Sequence, residues 1–419
     1  MNKFEVTTPK ISQANIIVGV SGSIAAYKSA NLVSLLTKAG ATVNVVLSSS
    51  AQKFIGETTF RALTKGYVLT DLFNHSKNGD NNIPHVQLAQ KADLVVIAPT
   101  SASRIAKFSC GIADDLLGLI VLGTKAPILL VPAMEENMWT NSANQRNCQI
   151  LQRDGMHIIG PDIGHHASGF NGLGRMVEPA SILGHIQKFL GKSSDLSGHK
   201  ITVTAGGTRE PLDPVRVISN RSSGKMGIAI ARAARDRGGE VSLITTTPPP
   251  IETIGINVTI VESAAQMKNS VINHLAQTDI LVMAAAVADY RPKTVLENKI
   301  KKMTTGKDYS LVLERTDDIL AMVAKKRLQN SLHDHSPKVV IGFAAETENL
   351  VQAARQKLKE KNLDLIVANL IKSNESTVFG TEYNEVIIIN RKFEEIKTSL
   401  LSKDQISHYI LDQIKNLLI

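Results

Sequence analysis

Cysteine is nearly absent: Cys110 and Cys148 are the only two in 419 residues, too far apart for a disulfide framework and without the CxxC spacing of a thiolate metal site. One tryptophan and 4% aromatic residues leave no stripe of rings on which nucleic-acid bases could stack. Long apolar runs are missing too. The longest, residues 280–288, falls well short of the roughly 18 residues that suggest a membrane span. The first residues are polar and lack the apolar core of a signal peptide, so a cytoplasmic chain with no membrane partner is expected. Nor is charge concentrated: Lys and Arg outnumber Asp and Glu 16 to 12 through residue 190 and 31 to 26 thereafter, a net +9 with no basic arm. That distribution argues against nucleic acid as a partner and favours small anionic substrates.

What is present is the balance of a globular protein, 43% hydrophobic and 20% charged. At about 100–200 residues per domain, the length gives two or three domains. Apolar runs at residues 16–20, 43–47, 94–98 and 128–131 alternate with helix-like stretches such as 25–38. The pattern repeats at 201–204, 241–245, 280–284, 339–343 and 365–367. Strands apolar throughout belong to parallel sheets covered on both faces, which predicts an α/β fold. Further strands are expected near 309–313 and 385–390, and an amphipathic helix from about Lys403 reads as plain packing. Residues 191–198, polar and small, read as a linker between domains 1–190 and 199–419.

Each half begins with an apolar run that breaks into a glycine turn. The first is Gly19-Val20-Ser21-Gly22-Ser23-Ile24 and the second Ala205-Gly206-Gly207-Thr208. Glycine lets backbone approach a phosphate, and the amides of the following helix attract it. A dinucleotide site would carry Gly-x-Gly-x-x-Gly and an acidic residue after the second strand; here that strand ends in Ser48-Ser49-Ser50. Hydroxyls donate to a phosphate that a carboxylate would repel, so the turn suits a mononucleotide such as FMN. By spacing alone a bare strand-to-helix turn fits as well.

Other motifs narrow the reading. The polar run from Ala205 to Ile228, dense in Gly, Pro, Arg, Ser and Asn, has too few apolar positions for core and reads as an ordered loop beside a ligand. With Ala284-Ala285-Ala286-Val287-Ala288-Asp289-Tyr290, Lys299-Ile300-Lys301-Lys302, Gly342-Phe343-Ala344-Ala345-Glu346-Thr347 and Lys357 to Leu365, it resembles the phosphopantothenate–cysteine ligases. The first half, with its glycine turn, His85, Ala98-Pro99-Thr100-Ser101-Ala102, Gly111-Ile112-Ala113-Asp114-Asp115 and Pro132-Ala133-Met134, resembles the flavin-dependent phosphopantothenoylcysteine decarboxylases. Together these cover about residues 14–415 and resemble the bacterial fusion of the two enzymes. The resemblance implies two doubly wound domains, a flavodoxin-like FMN domain and a Rossmann-like CTP-binding domain. It also implies homo-oligomers, with trimeric flavin domains and dimeric ligase domains.

For the second half the resemblance implies attack of the 4'-phosphopantothenate carboxylate on the α-phosphate of CTP, loss of pyrophosphate, and displacement of CMP by the amine of cysteine. Such chemistry needs cations around a polyphosphate more than a protein nucleophile. Lys299 is the candidate for transition-state charge, Lys357 and Lys361 for triphosphate or base, Asn220 for the acyl intermediate and Arg216 for the substrate phosphate. The spacing of Lys357 and Lys361 puts both on one helix face. Met283, Ala284, Ala285 and Asp289 are expected at the nucleotide, Phe343 against the base, and Asp317, Asp318, Ile319 and Leu320 beside them, although the family's Asn-Pro is here Thr316-Asp317. Mg2+ is expected through the phosphates of CTP.

For the first half the resemblance implies FMN held by Gly22, Ser23, Ile24, Ser48, Ser101, Ala102, Ala133 and Met134, with His85 assisting oxidation of the phosphopantothenoylcysteine thiol. Two positions depart. Glu135 replaces the asparagine that meets the substrate carboxylate, with Asn137 a displaced substitute, and Ser168 replaces the cysteine that protonates the product. A hydroxyl is far less acidic than a thiol of pKa about 8.5. A flavin half that stops at an ene-thiol or serves as a scaffold therefore stands beside the full decarboxylase, with His165 and His166 as compensating donors. Cys110 reads as buried packing. A nicotinamide-dependent oxidoreductase is the remaining alternative, weakened by the missing acidic residue.

Overall fold

The computed structural model describes residues 9–72, 84–165, 167, 169–248, 253–300, 309–329, 337–346, 348–370 and 380–418. Ser168, His166, Lys301, Lys302 and Thr347 lie outside the described residues. The chain divides into two compact units, Pro9–Leu190 and Gly191–Ile419.

In the first unit the order is β1 (Asn15–Val20), α1 (Ala26–Lys38), β2 (Thr42–Leu47), α2 (Glu57–Leu63), β3 (Val68–Leu69), α3 (Pro84–Lys91), β4 (Leu94–Thr100), α4 (Ala102–Ser109), α5 (Leu116–Gly123), β5 (Ile128–Pro132), α6 (Glu136–Thr140), α7 (Ser142–Arg153) and β6 (His157–Ile158). A hairpin of β7 (Asp162–His165) and β8 (Asn171–Arg175) and then α8 (Pro179–Gly191) complete it. The sheet order is β3-β2-β1-β4-β5-β6, with every pairing parallel. Alternation does the sorting: Ile16, Val18 and Val20 enter one core layer and Ile17 the other, so each face of β1 is covered. Polar side chains start the helices. Ser101 caps α4, Asp115 caps α5 and Asn141 caps α7.

The second unit contains β9 (Lys200–Ala205), β10 (Arg209–Pro211), β11 (Val217–Ser219), α9 (Lys225–Asp236), β12 (Glu240–Thr245), β13 (Asn257–Ile260), α10 (Ala264–His274), β14 (Ile280–Met283), β15 (Tyr290–Pro292), β16 (Leu313–Arg315), α11 (Ile319–Gln329), β17 (Val339–Glu346), α12 (Leu350–Glu360) and β18 (Leu365–Leu370). After these come β19 (Tyr383–Asn384), β20 (Ile387–Asn390), β21 (Glu395–Lys397), β22 (Leu401–Ser402) and α13 (Lys403–Leu418). The main sheet runs β13-β12-β9-β14-β17-β18-β20-β21, parallel until β20 and β21 add an antiparallel edge. Ile280 and Val282 face one core layer, Leu281 and Met283 the other. Gly227 explains how closely α9 lies on β9: a Cβ there would stand 2.6 Å from the Thr204 carbonyl oxygen.

Three local expectations change. Of residues 191–198, Gly191 ends α8 and 192–198 form ordered turns, because Leu196 is fully buried in the core of the second unit and Asp195 pairs with Arg237. The strand expected near 309–313 begins at Leu313, where β15 supplies a partner; Val312 stays 66% exposed. Cys110 is exposed because it ends α4 just before the turn at Gly111, whose φ is +66°.

Candidate functional site

In the second sheet the winding reverses between β9 and β14, the position where doubly wound sheets leave a crevice beyond their carboxyl ends. The two loops there are stitched together. Thr208 N donates to the Ala286 carbonyl, Ala286 N to the Gly206 carbonyl, Ala285 N to Thr204 Oγ1 and Ala288 N to Thr208 Oγ1. Gly224, at φ +77°, then turns the chain into α9. A cavity of about 730 Å³ opens beside this frame.

Asn220, Met283, Ala284, Ala285, Asp289, Asp317, Asp318, Ile319, Leu320, Phe343, Lys357 and Lys361 all line it. Asn220 Nδ2 donates to the Ala286 carbonyl at 3.1 Å. Lys357 Nζ donates to the Phe343 carbonyl at 2.9 Å, and burial pushes its ammonium below the usual lysine range. Lys361 Nζ pairs with Asp318 at 2.6 Å, while Asp318 also accepts from Ala321 N in the first turn of α11. Burial works against the Asp318 charge, but Lys361 and that amide outweigh it and hold its carboxyl below the usual range. Asp317 pairs with Lys268 at 2.8 Å, which lowers it likewise. Lys225, Asn369, Asn384 and Lys403 also line it; Lys225 lies within the polar run that ends at Ile228 without having been singled out there, the other three belong to no motif, and Lys403 opens the helix expected to be mere packing.

Arg216 and Lys299 do not line this cavity. Arg216 Nε donates to the buried Asp213 at 3.0 Å, and Arg216 Nη2 to the Ile300 carbonyl at 3.1 Å. The amides of Val215, Arg216 and Ile300 also donate to Asp213. The Arg216 bond above all, with these amides, holds the Asp213 carboxyl far below the usual range. One carboxylate thus ties the β10–β11 turn to the backbone beside Lys299. Around this arm Val215, Val295 and Val312 are 62%, 50% and 66% exposed.

In the first unit the winding reverses between β1 and β4, and the FMN candidates stand at the carboxyl ends of β1, β2, β4 and β5. Ser21 Oγ donates to the Pro99 carbonyl and accepts from Ser101 N, joining the first and third of these ends. The amides of Gly22, Ser23 and Ile24 have no acceptor among the described residues, and Ser101 and Ala102 begin α4. Those unengaged amides, with the Ser23 hydroxyl and the exposed Ile24 beside them, fit a phosphate with an apolar ring system attached. Ser48 is buried and its Oγ accepts from Ala51 N, which fixes the turn after β2. Ala133 is buried, and Met134 N donates to the Gly174 carbonyl, drawing the β7–β8 hairpin to the same edge.

His85 sits in the first turn of α3, with a buried Nδ1 that has no hydrogen-bond partner among the described residues. Because α3 leads into the parallel strand β4, that turn lies toward the ligand edge of the sheet. Glu135 caps α6: its Oε2 accepts from Asn137 N at 2.8 Å and its Oε1 from Asn137 Nδ2 at 3.3 Å. The carboxylate is thereby engaged by the very residue considered as its substitute.

A flavin-type unit followed by a nucleotide-type unit, each with its crevice at the reversal of winding, defines a two-domain α/β enzyme. The Flavoprotein family matches residues 6–191, and the DNA/pantothenate metabolism flavoprotein C-terminal domain matches residues 196–418. Over 407 residues the chain is 39% identical to the coenzyme A biosynthesis bifunctional protein CoaBC of Bacillus subtilis, covering 96% of this chain and 97% of that one. The protein of the same name from Haemophilus influenzae is 40% identical over 410 residues, covering 97% and 98%. A crystal structure of the C-terminal domain of a CoaBC protein is 39% identical, with a TM-score of 0.43, and covers 54% of this chain and 98% of that chain. The chain belongs to the family of bifunctional coenzyme A biosynthesis proteins. That membership sets aside the nicotinamide-dependent oxidoreductase. No helix among the described residues is long and apolar enough to cross a membrane.

Proposed function

We propose that the second unit joins cysteine to 4'-phosphopantothenate at the expense of CTP, and that the first unit decarboxylates the resulting phosphopantothenoylcysteine to phosphopantetheine with FMN. The observation that carries the ligase reading is the convergence of Asn220, Asp289, Phe343, Lys357 and Lys361 on one cavity at the reversal of winding. Lys357 and Lys361 neutralise nucleotide charge, Phe343 offers a ring to the base, and Asn220 donates to the acyl intermediate. Magnesium travels with the CTP phosphates.

In the first unit FMN, when bound, supplies the two-electron exchange that oxidises the thiol and later reduces the decarboxylated product. The chain holds its phosphate with the amides of Gly22, Ser23 and Ile24 and the start of α4. His85 takes a proton through its unpartnered ring.

Arg216 and Lys299 serve the ligase from an arm that docks on a second copy. The support is their absence from the cavity lining together with the exposed valines around them. Dimeric ligase domains, trimeric flavin domains and a cytoplasmic location complete the reading.

The test is one assay of the purified full chain with CTP, cysteine and 4'-phosphopantothenate, each product resolved by mass spectrometry. Amide formation that requires CTP supports the ligase, and phosphopantetheine supports the decarboxylase. Accumulation of phosphopantothenoylcysteine or an oxidised ene-thiol in place of phosphopantetheine would refute the second activity.

A further inference from the structure

The cavity of the second unit has a second cationic pole, built from lysines to which the sequence motifs assign no role. Lys225 opens α9 directly after Gly224, Lys403 opens α13, and these two helices pack against each other. Both lysines line the cavity. Consecutive residues hold them: Lys225 Nζ donates to the Gly380 carbonyl at 2.7 Å and to Glu382 Oε1 at 2.5 Å, and Lys403 Nζ donates to the Thr381 carbonyl at 2.5 Å.

Lys403 is 5% exposed, and among the described residues no carboxylate stands within ion-pair distance of it. Burial first, and the Lys225 charge second, push its ammonium below the usual lysine range, with Glu382 opposing. A buried ammonium with one carbonyl partner has donors to spare and a charge that lacks compensation. Among the described residues Lys225 pairs with one carboxylate, that of Glu382, whose side chain is 70% exposed. The first amides of α9 add their own positive end to this pole.

We propose that Lys225 and Lys403 form the receptor for the pyrophosphoryl end of the nucleotide, and that Glu382 is the counter-ion Lys225 releases when that anion arrives. The inference rests on the ligase reading. When the substrate carboxylate oxygen bonds to the α-phosphorus, the bond from that phosphorus to the bridging oxygen breaks and its electron pair leaves on pyrophosphate. Two fixed ammonium groups stabilise that leaving charge more than they stabilise the intact nucleotide. The phosphate of the other substrate is a rival source of the same chemistry. Phe343, Lys357 and Lys361, the candidates for the base and the triphosphate, share the cavity with this pole, which assigns the pole to the nucleotide.

Calorimetry of the full chain with inorganic pyrophosphate, and steady-state ligation with each substrate varied, test the assignment. Lys225→Met and Lys403→Met are each expected to weaken pyrophosphate and raise the KM for CTP about tenfold, with the KM for 4'-phosphopantothenate within about twofold and Lys403→Arg recovering most of the loss. Glu382→Gln is expected to tighten pyrophosphate about threefold, an effect that a purely structural tie would not produce. Unchanged pyrophosphate binding in folded Lys225→Met and Lys403→Met proteins would overturn the proposal, as would a shift confined to the KM for 4'-phosphopantothenate. Calorimetry reads the pole without turnover. Loss of CTP-dependent ligation with lysine-dependent pyrophosphate binding intact would therefore sink the ligase reading and leave the receptor standing.

Discussion

Lys361 holds Asp318 at 2.6 Å, and the same carboxylate caps the first turn of α11. Of the two cavity lysines at the end of α12, Lys361 is therefore already paired, whereas Lys357 bonds, among the described residues, to the Phe343 carbonyl. Removing Lys361 leaves Asp318 facing the incoming polyphosphate. Lys361→Met is expected to raise the KM for CTP about tenfold, and Asp318→Asn added to it to recover a large part, since asparagine also caps a helix. Additive losses in the double variant would contradict the coupling.

Lys357 binds anions only while protonated, and burial has moved its deprotonation below the usual lysine range. Affinity for CTP should therefore fall as pH rises through that lowered value, earlier than an exposed lysine would allow. A dissociation-constant profile from pH 7 to about 10.4, the reference lysine value, checks this. Lys357→Met should flatten it; equal slopes would refute the assignment.

If Arg216 and Lys299 act in a neighbouring copy, two inactive variants repair each other. Lys299→Ala and Asn220→Ala proteins, each nearly dead in ligation, should on subunit exchange regain activity approaching about a quarter of wild type, the share of sites that random pairing in a two-fold dimer makes complete. No recovery after verified exchange would refute action of this arm on a neighbouring copy.

His408 in α13 is 7% exposed, and burial, helped by Arg237, holds its imidazole below the ordinary value of 6.5. On acidification the unfolded chain takes up this proton first. Stability of the second unit should thus decline as pH drops below about 6.5, by at most about 1.4 kcal/mol per pH unit until the folded-state value is passed. Thermal unfolding between pH 5 and pH 8 for wild type and His408→Leu checks the sign: the variant should lose less over that window.

Much of the architecture was legible because fully apolar runs in a doubly wound sheet have one use. Residues 16–20 and 201–204 each became a central strand with its glycine turn at the ligand edge. Most of the cavity-lining residues were legible through contiguous motifs such as that around Asp289. Lys225 was passed over within such a motif, and Lys403, Asn369 and Asn384 were missed because distant segments of sheet and helix bring them together. Lys403 in particular heads an amphipathic helix whose pattern reports packing and says nothing of what its first residue faces. The strand near residue 313 was misplaced because its register depends on the partner β15, which periodicity cannot see.

Glu135 gives the start of α6 its hydrogen-bonded cap, a task asparagine performs at least as well. Selection for folding alone is therefore nearly blind to which of the two occupies position 135. Exchange between a charged and a neutral residue at position 135 therefore costs the fold little, and its effect is felt by whatever charge approaches that edge of the sheet.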